Sequence, residues 1–97
     1  MPTFDVTVRG RGIIVPIGDS AAVGFFRTVR VSGRDVANAE RAALDISLAE
    51  WKGGPNASLN RGDNPRITVD SVTAVSWWQR LSKPNRGYVF YRDEEEP

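Results

Sequence analysis

The sequence contains neither cysteine nor histidine. Without cysteine it can form no disulfide, thiolate zinc site or thiol nucleophile, and this composition suits a reducing cytoplasm. Without histidine the chain lacks the commonest general base and the commonest ligand of transition metals. No other group of residues matches a catalytic arrangement. The sequence therefore predicts a protein that is not an enzyme and that uses no metal or cofactor.

Long apolar runs are also missing. No stretch approaches the roughly 20 apolar residues of a membrane span, and the N-terminal segment MPTFDVTVRG lacks the basic and apolar parts of a secretion signal. A chain of 97 residues is long enough for one domain with its own core. We expect a single cytoplasmic domain over residues 1–92, no membrane partner, and a disordered acidic tail over residues 93–97.

The charges are unevenly distributed along the chain. The net charge is only +1, but four of the 12 acidic residues lie at positions 93–96, so the remainder carries 13 basic and 8 acidic residues, a net +5. Eleven of the basic residues are arginine. This excess reflects either overall composition or a surface for an anionic partner, for which the acidic tail would compete.

Alternation of apolar and polar residues predicts the first strands. The segments FDVTV and GFFRTVRVS follow the two-residue period of a half-buried strand, and the second places Phe25 and Phe26 on opposite faces. The glycines of GRG at residues 10–12 are expected to break the first strand. Pro16 then confines the next apolar stretch to a short edge strand.

A helix and two further strands follow. The helix is predicted over residues 33–52, because SGRD matches a capping box with Ser32 as N-cap and Asp35 three residues later, and because GGP ends it. The segments RITVDSVTAVSWW and YVFYR predict the third and fourth strands. The phase of the apolar residues changes near Asp70, which indicates a bulge in the third strand.

These elements predict an α+β fold in the order ββαββ. A right-handed crossover through the helix makes the second and third strands parallel, with the first strand between them and antiparallel to both. We expect a four-stranded, mostly antiparallel sheet in the order 2-1-3-4, with one long helix packed on one face. The other face of the sheet is then open.

Two adjacent tryptophans, Trp77 and Trp78, must point to opposite faces of the third strand. Trp77 shares the phase of the apolar residues and is expected in the core. Trp78 is expected on the open face, either over an arginine stem or within a binding surface, and the last strand adds one of its two phases to that face. The candidate interaction surface comprises Phe26, Arg30, Trp78, Arg80, Arg86 and Tyr91.

An open face that mixes polar and aromatic residues is typically covered by a second copy or by a ligand. Our first hypothesis is a non-enzymatic interaction module that forms a homodimer through the open face or an edge strand, or that binds another protein. Arginine interleaved with aromatic residues is typical of surfaces that hold single-stranded nucleic acid. A nucleic-acid-binding accessory protein that uses the third and fourth strands is therefore the second hypothesis, and a small-molecule-binding protein is the third.

Two segments also carry a family resemblance. GFFRTVRV is followed by a polar cap and an alanine-rich helix at residues 24–43, and GYVFY at residues 87–91 precedes acidic residues. Together with VRGRG near the start, they resemble a group of small uncharacterised bacterial proteins of this length, which implies a shared fold rather than an activity. A weaker similarity is to HicB-like antitoxins, which also place a short sheet before an alanine-rich helix. Their acidic-glycine turn between the first strands is absent here.

Overall fold

Four strands and one helix follow one another in the order ββαββ. The computed structural model describes residues 2–54, 57, 60–62, 65–76 and 88–92. Its elements are β1 (Thr3–Ile17), β2 (Ser20–Ser32), α1 (Val36–Lys52), β3 (Arg66–Ala74) and β4 (Tyr88–Tyr91). The predicted acidic tail at residues 93–97 lies outside the described residues.

The strands form one sheet in the order β3-β1-β2-β4. β1 pairs antiparallel with both β2 and β3, and β2 pairs antiparallel with β4. The helix α1 packs across β1, β2 and β3. The α+β class, the ββαββ order and the place of β1 between β2 and β3 are confirmed, and so is the bulge, since the β1–β3 register shifts at Asp70.

The last strand lies beside β2 and not beside β3, so the expected order 2-1-3-4 is corrected to 3-1-2-4. In the β2–β4 register, Phe25 lies opposite Phe90. The Phe25 ring lies 5.0 Å from that of Tyr88 and 6.3 Å from that of Phe90, between centroids. Aromatic packing against β2 therefore holds β4 at this edge.

β1 is longer than the sequence indicates. The glycines at residues 10–12 do not end it, because Gly12 has a φ of 74° and the β1–β2 register shifts between Arg11 and Val15. The chain forms a bulge there and pairing resumes beyond it. Pro16 is accommodated within β1 because β3 pairs with this strand only as far as Arg11, which leaves the proline on an edge.

The helix begins at Val36 rather than near residue 33, and its N-cap is Asp35 rather than Ser32. The Asp35 carboxylate accepts a hydrogen bond of 2.9 Å from the amide of Asn38. Ser32 cannot cap the helix because it is the last residue of β2 and pairs with Thr3 of β1. Strand pairing therefore delays the start of the helix, and Asp35 takes the place of the predicted cap.

The core lies between α1 and one face of the sheet. Along α1, a row of small residues faces the sheet and is buried, and the same row ends in Trp51. The Trp51 ring stacks on that of Phe25, with the centroids 5.0 Å apart and the planes inclined by 13°. The row comprises Ala39, Ala43 and Ser47. Trp77, expected in the core, lies outside the described residues.

Candidate interaction surface

The face of the sheet opposite α1 is lined by alternate residues of all four strands. The register places Thr7 opposite Thr28 and Arg9 opposite Phe26, so these pairs share one face. β4 contributes Val89 and Tyr91 to this face, which settles the phase of the last strand. We call it the open face; its residues include Asp5, Thr7, Arg9, Arg11, Phe26, Thr28, Arg30, Arg66, Thr68, Asp70, Val89 and Tyr91.

One end of the open face is closed by polar pairs. The Arg30 guanidinium donates to the Asp5 carboxylate through Nε at 2.8 Å and through Nη2 at 3.1 Å. This hydrogen bond raises the pKa of Arg30, against a smaller lowering by burial. Next to it, the hydroxyls of Thr7 and Thr28 are 3.0 Å apart and share a hydrogen bond. Arg30 and Asp5 are thus hydrogen-bonded to each other, and so are Thr7 and Thr28.

Aromatic rings and an arginine meet at the other end. The Arg9 guanidinium lies 5.5 Å from the ring centroids of both Phe26 and Tyr91, and its Nε donates to the Tyr91 hydroxyl at 3.3 Å. That hydroxyl donates in turn to the Gly10 carbonyl at 3.3 Å. The Tyr91 ring occupies the space above Gly24, where a Cβ would lie 2.1 Å from it. Tyr91 is consequently buried, while Phe26 stays half-exposed.

Three arginines of β1 and β3 lie side by side near these rings. Arg11 lies directly opposite Arg66, and Arg9 lies opposite Thr68. Together with Asp70 they line a shallow depression. We call Arg9, Arg11 and Arg66 the arginine strip. Like charges directly opposite each other in a sheet are destabilising.

The side of the sheet that faces α1 carries one charged cluster. The Glu50 carboxylate of α1 accepts hydrogen bonds from Arg27 of β2 and from the hydroxyl of Tyr88 of β4. Partial burial alone would raise the pKa of Glu50, but the hydrogen bonds from Arg27 and Tyr88 and the charge of Arg27 together lower it. A carboxylate held ionised in this way joins three elements and is not poised to donate a proton.

The outer edge of β3 is a second candidate surface. None of the described strands pairs with it. Ile67 and Val69 point to the α1 side but stay half-buried, whereas Val6 and Val8 of the neighbouring β1 are fully buried. The apolar layer therefore extends to this edge without being fully covered.

The structure brings together only part of the predicted surface. Phe26 and Tyr91 are in contact, with ring centroids 5.7 Å apart. Arg30 shares their face but is bound to Asp5 at the other end. The three remaining predicted residues, Trp78, Arg80 and Arg86, lie outside the described residues.

The sequence interpretation missed the arginine strip. Its only local signal is the alternation of arginine and glycine in VRGRG, which places two arginines on one face of a strand. The glycines of the same segment instead predict a strand break. Pairing with Arg66 depends on a register that joins distant parts of the chain.

In the part of the chain that the structure describes, no group of three or more acidic side chains could hold a metal ion, and no helix is both long and apolar enough to cross a membrane. Comparison with protein families, curated proteins and solved structures finds no match. The resemblance to small bacterial proteins stays a prediction.

Proposed function

We propose that the chain is a non-enzymatic interaction module of the cytoplasm that forms a homodimer through the outer edge of β3. One observation carries this proposal. The side chains of Ile67 and Val69 are only half-buried, and none of the described strands pairs with the outer edge of β3 beside them. A second β3 added to this edge would extend the sheet and cover both side chains. Strand addition of this kind provides main-chain hydrogen bonds together with side-chain contacts.

The sequence of β3 is complementary to itself. In an antiparallel pair centred on Thr68, the segment RITVD places Arg66 opposite Asp70 of the second copy and Ile67 opposite Val69. The charged pair then lies on the open face, and the apolar pair lies on the α1 side. Opposite charges and apolar side chains at directly opposed positions both stabilise a pair of strands.

The other surfaces fit a second copy less well. β4 has only four residues, and the open face is polar, with its Asp5 and Arg30 side chains already paired. The bulge at Asp70 interrupts β3, so a ladder between two copies can include residues 66–70 at most. The ladder between two copies is therefore short, and we expect a reversible dimer rather than an obligate one.

A charge swap tests the interface. Asp70→Arg would set arginine opposite Arg66 at two symmetry-related places, so we expect the dimer Kd measured by sedimentation equilibrium to rise by about tenfold or more. Combining it with Arg66→Asp restores opposite charges and should restore the dimer. Asp45→Arg on the exposed side of α1 makes the same charge change away from the edge and should leave the Kd unchanged.

Two results would contradict the proposed interface. If the unmodified chain sediments as a monomer up to high concentration, there is no dimer to explain. If the double variant dimerises no better than Asp70→Arg alone, the strands do not pair in this register.

A further inference from the structure

One side of α1 carries an apolar row that a single protomer covers only in part. Glu50 is hydrogen-bonded to Arg27 of β2, and Ile46 lies one turn before it on the same side of the helix. Leu44 and Leu48 follow the opposite side, because residues two apart in a helix differ in direction by about 200°. This row therefore faces β3, and both of its leucines are half-buried.

Leu48 lies about level with the centre of the proposed strand pair. The two-fold axis of that pair passes beside Thr68. The Trp51 ring stacks on Phe25, which lies in line with Ile67 across β1. Leu48 precedes Trp51 by about 4.5 Å along the helix. Because α1 begins where β2 ends and runs antiparallel to β3, this step leads toward Thr68, about 3.4 Å beyond Ile67.

Strand spacing sets the distance between the two helices of such a dimer. α1 packs across β1, β2 and β3, so it is centred near β1. β1 lies about 7 Å from the two-fold axis, which puts the helix axes about 14 Å apart. A helix with its side chains is about 10–12 Å wide, so leucines that point toward the axis reach each other. Since neighbouring strands twist by about 20–25°, the helices diverge and touch only near the axis.

We propose that the dimer interface extends from β3 onto α1, where the two Leu48 side chains pack against each other across the two-fold axis. This inference rests on the proposed strand pairing. A ladder over residues 66–70 provides five residues from each copy, whereas a stable interface usually takes about 20–30. The leucine row continues the half-buried apolar layer of Ile67 and Val69. A second copy is the partner that covers both surfaces at once.

The first measurement is the dimer Kd by sedimentation equilibrium. Leu48→Gln should raise the Kd about tenfold, because one substitution removes a leucine from both copies. Ile46→Gln is the matched control. It replaces an exposed apolar side chain on the β2 side of the same helix, away from the two-fold axis, and should leave the Kd unchanged.

The second measurement is crosslinking through introduced cysteines, since the chain has none of its own. With the helix axes about 14 Å apart, the two Cα atoms at position 48 lie about 9–10 Å from each other. A short bismaleimide should therefore link Leu48→Cys into a covalent dimer but not Ile46→Cys. Adding Asp70→Arg to Leu48→Cys should reduce the crosslinked fraction, and adding Arg66→Asp as well should restore it.

The inference and the proposed strand pairing fail in different ways. Equal crosslinking of the two cysteine variants, or equal Kd values for the two glutamine variants, overturns the helix contact. The strand pairing then stands if the charge swap still changes the Kd as expected. If the Leu48 variants respond but the charge swap has no effect, the helices meet and the β3 register is wrong. A chain that remains a monomer overturns both.

Discussion

The two faces of the sheet use aromatic residues in opposite ways. On the face covered by α1, Phe25 and Trp51 are buried and stack on each other without hydrogen bonds between them. On the open face, Tyr91 is buried without a helix above it, held by Gly10, Gly24 and Arg9. The covered face gains its stability from the packing of apolar area, whereas the open face gains order from polar contacts.

We expect the largest loss of stability when the Trp51 ring is removed from the covered face. Trp51→Ala should lower the free energy of unfolding by about 3–5 kcal/mol, because it empties a core position whose neighbours cannot close the gap. Phe26→Ala, on the half-exposed face, should cost clearly less. Chemical denaturation of both variants measures the difference. Similar losses for the two would mean that the faces do not differ in the way described.

We expect a smaller loss of stability when alanine replaces either of the two glycines that lie under aromatic rings. A Cβ at Gly10 would lie 2.0 Å from the Phe25 ring, and one at Gly24 would lie 2.1 Å from the Tyr91 ring. Alanine at either position should cost about 1–3 kcal/mol by overpacking. We expect the greater loss at Gly10, because Phe25 is enclosed by the core whereas Tyr91 ends an edge strand that can shift.

Gly53→Ala provides the control for this comparison. The space around Gly53 is open, and its φ of −142° is accessible to alanine. Its thermal unfolding should be nearly unchanged. A greater loss at Gly24 than at Gly10 would show that the open face is the less tolerant of the two.

The smallest effect concerns pH and the charged cluster under α1. Because the pKa of Glu50 is lowered on folding, its ionised form stabilises the protein at neutral pH. This contribution is complete above the ordinary pKa of a glutamate and is lost as the pH falls through the lowered value. Glu50→Gln should therefore unfold more easily at neutral pH and lose less stability on acidification. Acid unfolding of the unmodified chain and of Glu50→Gln can be followed in parallel by circular dichroism. A difference in stability between the two proteins that stays constant with pH would contradict this prediction.

The sequence predicts the elements of this fold well because their signals are local. The alternation around Phe25 assigns the faces of β2 correctly, and the change of phase at Asp70 places the bulge. The capping box in the sequence favours Ser32 as the N-cap, whereas the structure uses Asp35. Ser32 is withdrawn from the helix by its pairing with Thr3, a contact between distant residues.

The place of β4 and the arginine strip could not be predicted in the same way. YVFY carries apolar side chains on both faces, so its pattern does not show which edge of the sheet it joins. The opposition of Arg11 and Arg66 arises from the β1–β3 register. The sequence does single out Arg30. Its guanidinium is paired with the Asp5 carboxylate on the neighbouring strand β1, and both residues lie on the open face.

The position of Tyr91 has a consequence for how the chain assembles. Its ring rests on Gly24 of β2, and its hydroxyl bonds to Gly10 of β1, so the docking site exists only after these two strands have paired. We expect the hairpin to form first and the short last strand to join it later. Contacts made after the folding barrier has been crossed affect the rate of unfolding more than the rate of folding. We therefore expect substitution of Tyr91 to speed unfolding more than it slows folding.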